Sequence, residues 1–278
     1  MNENFKNIKI IALDMDGTLL NSRGEISEYN KEVLKKARQK GYIVSICTGR
    51  FTENASMVAI EEGIDCSIIA LNGCVVSDKR FGEKLFEGLM PSELSNSICD
   101  VLIKYRADFF MFLPKIVISS NSDIRHHSEL SQGDSLRKHG VKYLFGYDEA
   151  KKHAGQGVYK YFVLNREHKI DLEQLKKELL KLDGLYITSS GSDSAEIMPE
   201  GIDKARGIFE LAKHYGYTLE NAMAFGDYFN DLSMLEGARA GVAMGNAPDE
   251  VKKRAGYVCL SNDEDGVGRF IEETLLKY

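Results

Sequence analysis

Cysteine is scarce in this sequence, and its spacing excludes two kinds of stabilised domain. The five cysteines are odd in number, scattered, and form no C-x-x-C pair. Such a pattern supports neither a disulfide framework nor a zinc site. We expect all five to be small core residues in a reducing cytosol: Cys47, Cys66, Cys74, Cys99 and Cys259.

Long apolar runs and an excess of basic charge are also missing. No run approaches the roughly 20 apolar residues that a membrane helix needs, and residues 1–6 carry no apolar region of a signal peptide. Lys and Arg number 36 against 42 Asp and Glu, a formal net charge of -6, which argues against nucleic-acid binding. We expect a cytoplasmic monomer or small homo-oligomer that binds neither membranes nor nucleic acid.

Length and hydrophobic patterning predict a split fold. At roughly 150 residues per domain, 278 residues make one large or two ordinary domains. Both ends of the chain alternate short apolar strand patterns with helices, as a doubly wound parallel sheet requires; the predicted strands are 8–13, 42–47, 68–71, 222–225, 240–244 and 257–259. The middle of the chain lacks this alternation, which predicts an inserted α+β domain. Its polar stretch, 121–157, gives no clear pattern.

Two aspartates follow the first predicted strand, in the segment Asp14-Met15-Asp16-Gly17. Open α/β sheets bind ligands beyond the carboxyl ends of their strands. Two carboxylates there can hold a hard divalent cation, and one can attack phosphorus while the other moves a proton. The alternative is an ordinary turn, where Asp and Gly are common. A calcium loop is disfavoured because Gly17 comes too early and the next three residues are too apolar.

Polar residues also follow the next two predicted strands. Thr48-Gly49-Arg50 offers a hydroxyl and a backbone N–H at the start of a helix, which suits a phosphate. An ordinary strand-to-helix turn is the alternative for this segment. The third strand ends in Asn72-Gly73. These turns come at the same edge of the predicted sheet as Asp14, and we expect them to contribute to one site.

A lysine and a second acidic cluster follow the inserted domain. Lys204 comes directly after the predicted helix cap Asp203, and Asp227, Asn230 and Asp231 follow another strand. Carboxylate and amide oxygens from this loop would complete a metal site. Lys204 would offset the negative charge of the carboxylates and of a phosphate. The alternative for a lone lysine is an exposed surface position.

Taken in order, these four motifs resemble the signatures of the haloacid dehalogenase-like hydrolase superfamily. The long insertion lies between Asn72 and Lys204, whereas the span from Asp16 to Thr48 is short. That arrangement resembles the Cof-like phosphatase branch with a type-two α+β cap, subfamily IIB. The resemblance implies a Rossmann-like catalytic core of residues 1–82 and 200–278, interrupted by a cap, residues 83–199, that confers substrate specificity. Cys47 stands where the family more often has alanine.

The resemblance also implies site residues and a cofactor. Asp14 is the implied nucleophile and Asp16 the acid/base. Mg²⁺ would be held by Asp14, Asp227 and the backbone carbonyl of Asp16. The remaining implied roles are phosphate binding and support, which fall to Met15, Thr48, Gly49, Lys204 and Asn230 for the phosphate and to Asp231 and Asn72 in support.

The predicted activity is Mg²⁺-dependent hydrolysis of a small phosphorylated metabolite through an aspartyl-phosphate. By the resemblance, sugar phosphates are the leading substrate class. One alternative is a phosphatase of a phosphorylated cofactor, pyridoxal phosphate or flavin mononucleotide. Another is a regulatory protein that binds such a metabolite without turnover. Asp16 argues against dehalogenation, because that chemistry has no leaving oxygen to protonate.

Three residues of the predicted cap are candidates for contact with the substrate: Arg125, His126 and His127. Arginine and histidine can donate hydrogen bonds to hydroxyl or acidic groups of a metabolite. A solvated surface position is the alternative for each of them. The two histidines are not expected to bind a metal together, because adjacent side chains point in different directions on a helix or a strand.

Overall fold

The computed structural model of the protein describes residues 5–121, 133–165 and 169–277, with side chains throughout these ranges except at residues 133–135. The chain forms two compact units. We call Met1–Glu87 together with Asp203–Tyr278 the core unit, and Gly88–Ile202 the inserted unit. None of the helices in the described ranges is long and apolar enough to cross a membrane.

The strands and α-helices follow one another along three stretches of the chain. The core unit begins with β1 (Ile10–Leu13), α1 (Glu28–Gln39), β2 (Ile43–Cys47), α2 (Thr52–Glu61), β3 (Ser67–Ala70), β4 (Val75–Ser77) and β5 (Lys84–Glu87). The inserted unit contains α3 (Ser92–Lys104), β6 (Asp108–Leu113), β7 (Ile116–Ser119), α4 (Gly133–Lys138), β8 (Lys142–Phe145), α5 (Tyr147–His153), β9 (Lys160–Leu164), α6 (Leu172–Leu179), β10 (Leu185–Thr188) and β11 (Ser194–Pro199). The core unit resumes with α7 (Lys204–His214), β12 (Ala222–Gly226), α8 (Leu232–Gly237), β13 (Ala240–Ala243), α9 (Asp249–Arg254), β14 (Tyr257–Val258) and α10 (Gly266–Ile271).

The core unit contains an eight-stranded sheet in the order β14-β13-β12-β1-β2-β3-β4-β5. The six strands from β14 to β3 are parallel, and β1 lies between β2 and β12. All four residues of β1 are fully buried, as expected for an apolar strand covered on both faces. Ile10 and Ala12 pack in one cluster with Ile208 of α7 and Met234 of α8. The predicted α/β fold class, a doubly wound Rossmann-like core, is confirmed.

Two antiparallel strands extend this sheet beyond the prediction. β4 pairs antiparallel with β3, and β5 pairs with β4 through Val76 and Phe86. The sequence places the crossings between domains at 82–83 and 199–200, whereas the units divide after Glu87 and after Ile202. The first difference arises because β5 is paired within the core sheet, and a strand of four residues gives no sequence signal for the sheet to which it belongs.

The inserted unit contains a six-stranded sheet in the order β10-β11-β9-β6-β7-β8. Its strands pair antiparallel except β7 and β8, which are parallel. Phe109 and Tyr161, on one face of the sheet, belong to an apolar cluster with Ile98 of α3 and Leu175 of α6. The stretch 121–157, which the sequence leaves uninterpreted, contributes α4, β8 and α5 within its described part.

The cysteines follow the prediction with one exception. Four of them are buried, and none of the five is in a disulfide bond. Cys259 is partly buried, beyond the end of the edge strand β14. Burial raises the pKa of the Cys66 thiol to about 12, so this side chain stays protonated and behaves as an apolar core residue.

Candidate active site

Asp14 is held at the carboxyl end of the central strand β1. Its backbone N–H donates to the carbonyl of Phe225 at 3.0 Å, which continues the parallel pairing with β12 by one residue. The chain then folds back on itself: the N–H of Leu19 donates to the Asp14 carbonyl at 3.2 Å and that of Leu20 to the Met15 carbonyl at 2.9 Å. These bonds fix the backbone of the segment that carries both predicted catalytic aspartates.

Lys204 lies at the first turn of α7 and is fully buried. Asp203 caps this helix, because its Oδ1 accepts from the N–H of Arg206 at 2.8 Å. The Nζ of Lys204 donates to Oδ1 of Asp14 and to Oδ1 of Asp231, each at 2.5 Å. A buried ammonium group is stable only when it is paired. Lys204 is therefore a component of the acidic site, not the exposed lysine that was its alternative.

The close approach of α7 to the sheet depends on a glycine in the turn after β3. Gly73 has a φ of +96°, and a Cβ there would lie 2.0 Å from the backbone oxygen of Asp203. No side chain fits between the two backbones at this distance. The Asn72-Gly73 turn thus brings the amino end of α7, and Lys204 with it, against the carboxyl ends of β2 and β3.

The loop after β12 is organised by Asp231. Its Oδ2 accepts from the backbone N–H groups of Asp227 at 2.8 Å and Tyr228 at 3.0 Å, while its Oδ1 contacts Lys204. Both oxygens are used in these bonds, so Asp231 stabilises the loop and the lysine. Asp227 contacts the loop after β1, where Oγ1 of Thr18 donates to its Oδ1 at 3.1 Å.

Three carboxylates converge in this site. Oxygens of Asp14, Asp227 and Asp231 lie within 4.8 Å of one another. Burial, reinforced by the neighbouring Asp231 carboxylate, raises the pKa of Asp227 to about 7. Burial also raises the pKa of Asp14 well above its ordinary value, although Lys204 opposes this rise. The cluster carries more negative charge than Lys204 offsets, and its all-oxygen donor set fits a hard divalent cation such as Mg²⁺.

Lys204 itself remains charged in this setting. Burial alone would lower the pKa of its ammonium group, but the carboxylates of Asp14 and Asp231 outweigh burial and hold that pKa well above the ordinary value. Its ion pair with Asp14 uses Oδ1, which leaves Oδ2 of Asp14 outside the pair. The site therefore combines a fixed cation, an aspartate oxygen outside the ion pair, and carboxylates suited to a metal.

Thr48 is fixed at the neighbouring strand end, where it is buried. Its N–H donates to the carbonyl of Ile69 at 2.8 Å, and its carbonyl accepts from the N–H of Asn72 at 3.0 Å. Its Oγ1 accepts from the N–H of Arg50 at 3.1 Å. Because the hydroxyl oxygen accepts this bond, the hydroxyl proton can be donated to a phosphate oxygen.

Asp16, the second predicted catalytic residue, lies outside the buried cluster. Its side chain is 60% exposed, and both of its carboxylate oxygens accept from Arg50. Asn230 is buried in the turn Phe229–Asp231 and, among the described residues, makes no hydrogen bond to Lys204. The cap candidates Arg125, His126 and His127 lie outside the described residues.

Two polar contacts of the site were missed by the sequence analysis. Arg50 was noted only as part of the turn after β2, although it holds Asp16. Asn246, in the turn after β13, donates through its Nδ2 to the carbonyl of Gly17 at 2.8 Å, and its Oδ1 accepts from the N–H of Asn262 at 3.1 Å. The signal was available for Arg50, which lies two residues from Thr48 at a strand end that was already part of the predicted site.

Comparisons with known proteins agree with this fold. The model of the haloacid dehalogenase-like hydrolase family matches residues 11–271. The 5-amino-6-(5-phospho-D-ribitylamino)uracil phosphatase YwtE of Bacillus subtilis (strain 168) is 34% identical over 286 residues, 96% of this chain and 98% of the relative. Pyridoxal phosphate phosphatase YbhA of Escherichia coli (strain K12) is 29% identical over 96% of this chain and 99% of its own. A solved sugar phosphatase of haloacid dehalogenase subclass IIB has a TM-score of 0.77 at 28% identity, covering 95% of this chain and 98% of its own.

The fold and the site define a class of hydrolase in which an inserted α+β unit interrupts a doubly wound core with an acidic site at its strand ends. The chain belongs to the haloacid dehalogenase-like hydrolase family. Within that family it is a phosphatase of the Cof-like branch. The predicted family, branch and enzyme class are confirmed.

Gly17 offers a direct test of the contact between the two acidic loops. Its φ is +79°, and a Cβ there would lie 2.4 Å from Oδ2 of Asp227. Gly17→Ala should displace Asp227 and weaken the binding of a divalent cation in the acidic cluster roughly 10–100-fold, the usual effect of disturbing the groups around a metal ligand. A Mg²⁺ titration of phosphate release measures this change.

The matched control is Gly24→Ala in the same loop. Gly24 also has a positive φ, +78°, but nothing lies within 4 Å of the added Cβ. The positive φ should lower the free energy of unfolding of this variant by about 1–2 kcal/mol. Its Mg²⁺ dependence should match that of the wild type. Equal Mg²⁺ affinities in the two variants would show that Gly17 does not hold Asp227 in place.

Proposed function

We propose that this protein is a Mg²⁺-dependent phosphatase that hydrolyses a sugar phosphate, or a closely related small phosphorylated metabolite, through an aspartyl-phosphate on Asp14. The observation that carries the proposal is the buried contact of Lys204 with both Asp14 and Asp231, with Asp227 beside them. A nucleophilic carboxylate, a fixed cation for the phosphate and ligands for a metal are the groups that phosphoryl transfer to an aspartate requires.

In the first proposed step, Oδ2 of Asp14 attacks phosphorus and the bond from phosphorus to the leaving oxygen breaks. Asp16, in the protonated form that the second step regenerates, gives its proton to that oxygen, so the product leaves as an alcohol. In the second step, water attacks the phosphorus of the aspartyl-phosphate and Asp16 takes a proton from the water. Inorganic phosphate is released and Asp14 is regenerated.

The phosphate is held by groups that stay in place during both steps. Lys204 offsets its charge, and the Thr48 hydroxyl donates to one of its oxygens. Backbone N–H groups at Met15 and Gly49 and the side chain of Asn230 are the further proposed donors. Asn72 supports this part of the site through its backbone bond to Thr48.

Mg²⁺ fits the oxygen ligands of the site. Asp14 and Asp227 would hold it through their carboxylates and Asp16 through its backbone carbonyl. When bound, the ion neutralises negative charge and polarises the phosphoryl group. Burial and, after it, the neighbouring Asp231 carboxylate raise the pKa of Asp227, and this supports the assignment because a cation in the cluster stabilises the ionised carboxylates.

The substrate class rests on the relatives. The subclass IIB relative is named a sugar phosphatase, and the phosphate of the substrate named for YwtE is attached to a ribityl group. A sugar or polyol phosphate is therefore the first choice. YbhA is named for pyridoxal phosphate, which keeps a phosphorylated cofactor as the second candidate. We assign recognition of the leaving group to the inserted unit, with Arg125, His126 and His127 as its candidate contacts.

Phosphate release from a panel of metabolites tests the proposal. The purified protein should release phosphate from sugar and polyol phosphates in Mg²⁺, with lower kcat/KM for pyridoxal phosphate and flavin mononucleotide. Removing Mg²⁺ with a chelator should lower the rate by roughly 10²-fold, because several kcal/mol of charge stabilisation are lost. Restoring Mg²⁺ should restore the rate. Full activity in excess chelator would refute the metal dependence, and tight binding of these metabolites without phosphate release would favour a regulatory protein.

A further inference from the structure

Arg50 and Asp16 form a two-point ion pair beside the acidic cluster. Nε of Arg50 donates to Oδ2 of Asp16 at 2.8 Å, and Nη2 donates to Oδ1 at 2.5 Å. Two parallel bonds between a planar guanidinium and a carboxylate fix the direction of the carboxylate as well as its distance. A lysine cannot reproduce this geometry, because its ammonium group acts as a point charge on a flexible chain.

Arg50 is the anchored partner of this pair. Its side chain is 16% exposed, against 60% for Asp16. Nη1 of Arg50 donates to Oδ1 of Asn54, on α2, at 3.2 Å. Its backbone N–H donates to Thr48 and its carbonyl accepts from the N–H of Leu71 at 3.0 Å. The guanidinium is thus held to the core sheet and to α2, and it restrains the more exposed aspartate.

We infer that Arg50 is a positioning residue that orients the carboxyl group of Asp16 for proton transfer to the leaving oxygen. The inference rests on the proposed role of Asp16 as acid/base. A short, exposed aspartate has several side-chain rotamers, and proton transfer requires one of them, within about 2.6–3.2 Å of the leaving oxygen. Arg50 holds the carboxyl group of Asp16 in one orientation. This role does not require Arg50 to contact the substrate.

This role predicts a dependence on the leaving group. An alkyl phosphate loses a strongly basic oxygen and needs the proton from Asp16. An aryl phosphate such as p-nitrophenyl phosphate loses a stable phenolate, so proton donation contributes little to its first step. Loss of Arg50 should therefore slow alkyl phosphates much more than p-nitrophenyl phosphate. A residue needed only for folding, or for binding the phosphate, would affect both substrates alike.

The experiment compares Arg50→Gln and Arg50→Lys with wild type on p-nitrophenyl phosphate and on an alkyl phosphate that the wild type hydrolyses. For Arg50→Gln, kcat/KM on the alkyl phosphate should fall roughly 10–100-fold, a part of the 10²–10⁴-fold that an acid/base group contributes. The comparison uses kcat/KM because it reports the first step, whereas the second step is the same for both substrates. The fall in kcat/KM on p-nitrophenyl phosphate should be several times smaller. Arg50→Lys keeps the charge but loses the two-point geometry, and it should also lose more activity on the alkyl phosphate than on p-nitrophenyl phosphate.

The matched control is Arg254→Gln. Arg254 makes the same kind of pair with Glu236, with Nε to Oε1 at 2.6 Å and Nη2 to Oε2 at 2.9 Å, between α9 and α8 of the core unit. Arg254 is not among the proposed catalytic or binding residues, so kcat/KM on both substrates should match the wild type. Thermal unfolding of all variants shows whether each one is folded.

A double-mutant cycle with Asp16→Asn completes the test. If Arg50 acts through Asp16, Arg50→Gln should add no further loss on the alkyl phosphate in the Asp16→Asn background. Losses that multiply in the double variant, or an equal loss of kcat/KM on both substrates, would overturn the inference and make Arg50 a phosphate-binding residue. A wild-type protein that releases no phosphate would refute the proposed function itself, which separates the two failures.

Discussion

Asp14→Asn should abolish phosphate release and leave the fold intact. The amide cannot attack phosphorus, and the substitution removes the nucleophile on which both chemical steps depend. We expect kcat to fall by up to about 10⁶-fold, the loss seen when the nucleophile of a covalent hydrolase is removed. The measurement is phosphate release in saturating substrate and Mg²⁺.

Stability separates this prediction from a folding defect. Burial and the neighbouring carboxylates raise the pKa of Asp14, so the ionised side chain is unfavourable in the folded protein without metal. A neutral amide of the same size should keep or increase the free energy of unfolding in metal-free buffer. Asp100→Asn, at an exposed ion pair with Lys151, is the matched control and should retain wild-type kcat. An Asp14→Asn protein with activity within about tenfold of wild type would refute the nucleophile assignment.

Lys204→Met should damage both activity and stability. The methionine fills much of the same volume but leaves the carboxylates of Asp14 and Asp231 buried without a cation. Breaking a buried ion pair by removing one partner costs about 3–5 kcal/mol, and we expect that loss in the free energy of unfolding near neutral pH. The activity should fall on the order of 10³-fold, because a charge that stabilises the transition state is lost.

The stability loss should depend on pH with a definite sign. Lys204 lowers the pKa of Asp14, so its removal raises that pKa further above the ordinary value of 3.8. Between the ordinary pKa of 3.8 and the raised pKa of Asp14 in the folded variant, the folded chain binds more protons than the unfolded chain. The free energy of unfolding of the variant therefore falls as pH rises through this range. Urea unfolding at about pH 5 and about pH 8 should show the smaller loss at the lower pH.

Lys181→Met is the matched control for this prediction. Lys181 is exposed and pairs with Glu178 on the surface of the inserted unit, and surface pairs of this kind contribute little. Its substitution should leave both the free energy of unfolding and its pH dependence close to the wild type. If Lys204→Met is as stable as this control at both pH values, the buried pairs do not hold the site together.

Local chemistry accounts for the parts of the fold that the sequence predicted. Asp203 is the predicted cap of α7, and its side chain accepts from the backbone N–H of Arg206 at 2.8 Å. Ser27 caps α1 in the same way, accepting from the N–H of Asn30 at 3.1 Å. β1 was predicted from its apolar run, which the structure buries completely. These features depend on neighbours along the chain, so the sequence contains the information needed to predict them.

The features that the sequence missed depend on distant partners. β5 belongs to the core sheet because it pairs with β4, and no residue within it indicates that choice. Arg50 follows β2 whereas its partner Asp16 follows β1. The side chain of Asn246 bonds to the backbone of Gly17, which is 229 residues away in the sequence. Conversely, charge balance requires a cation beside clustered carboxylates, wherever it comes from in the chain, and Lys204 contacts Asp14 and Asp231 in the structure.

The most direct test of the whole account is to trap the phosphorylated protein. Wild type and Asp16→Asn are mixed with substrate and Mg²⁺, quenched in acid during the first turnover, and mapped by peptide mass spectrometry. We expect one added phosphoryl group on the peptide that contains Asp14. With p-nitrophenyl phosphate as substrate, more should accumulate in Asp16→Asn, because this leaving group needs little proton donation in the first step while the second step lacks its base. A phosphoryl group on another residue, or turnover with no phosphorylated protein in either sample, would contradict it.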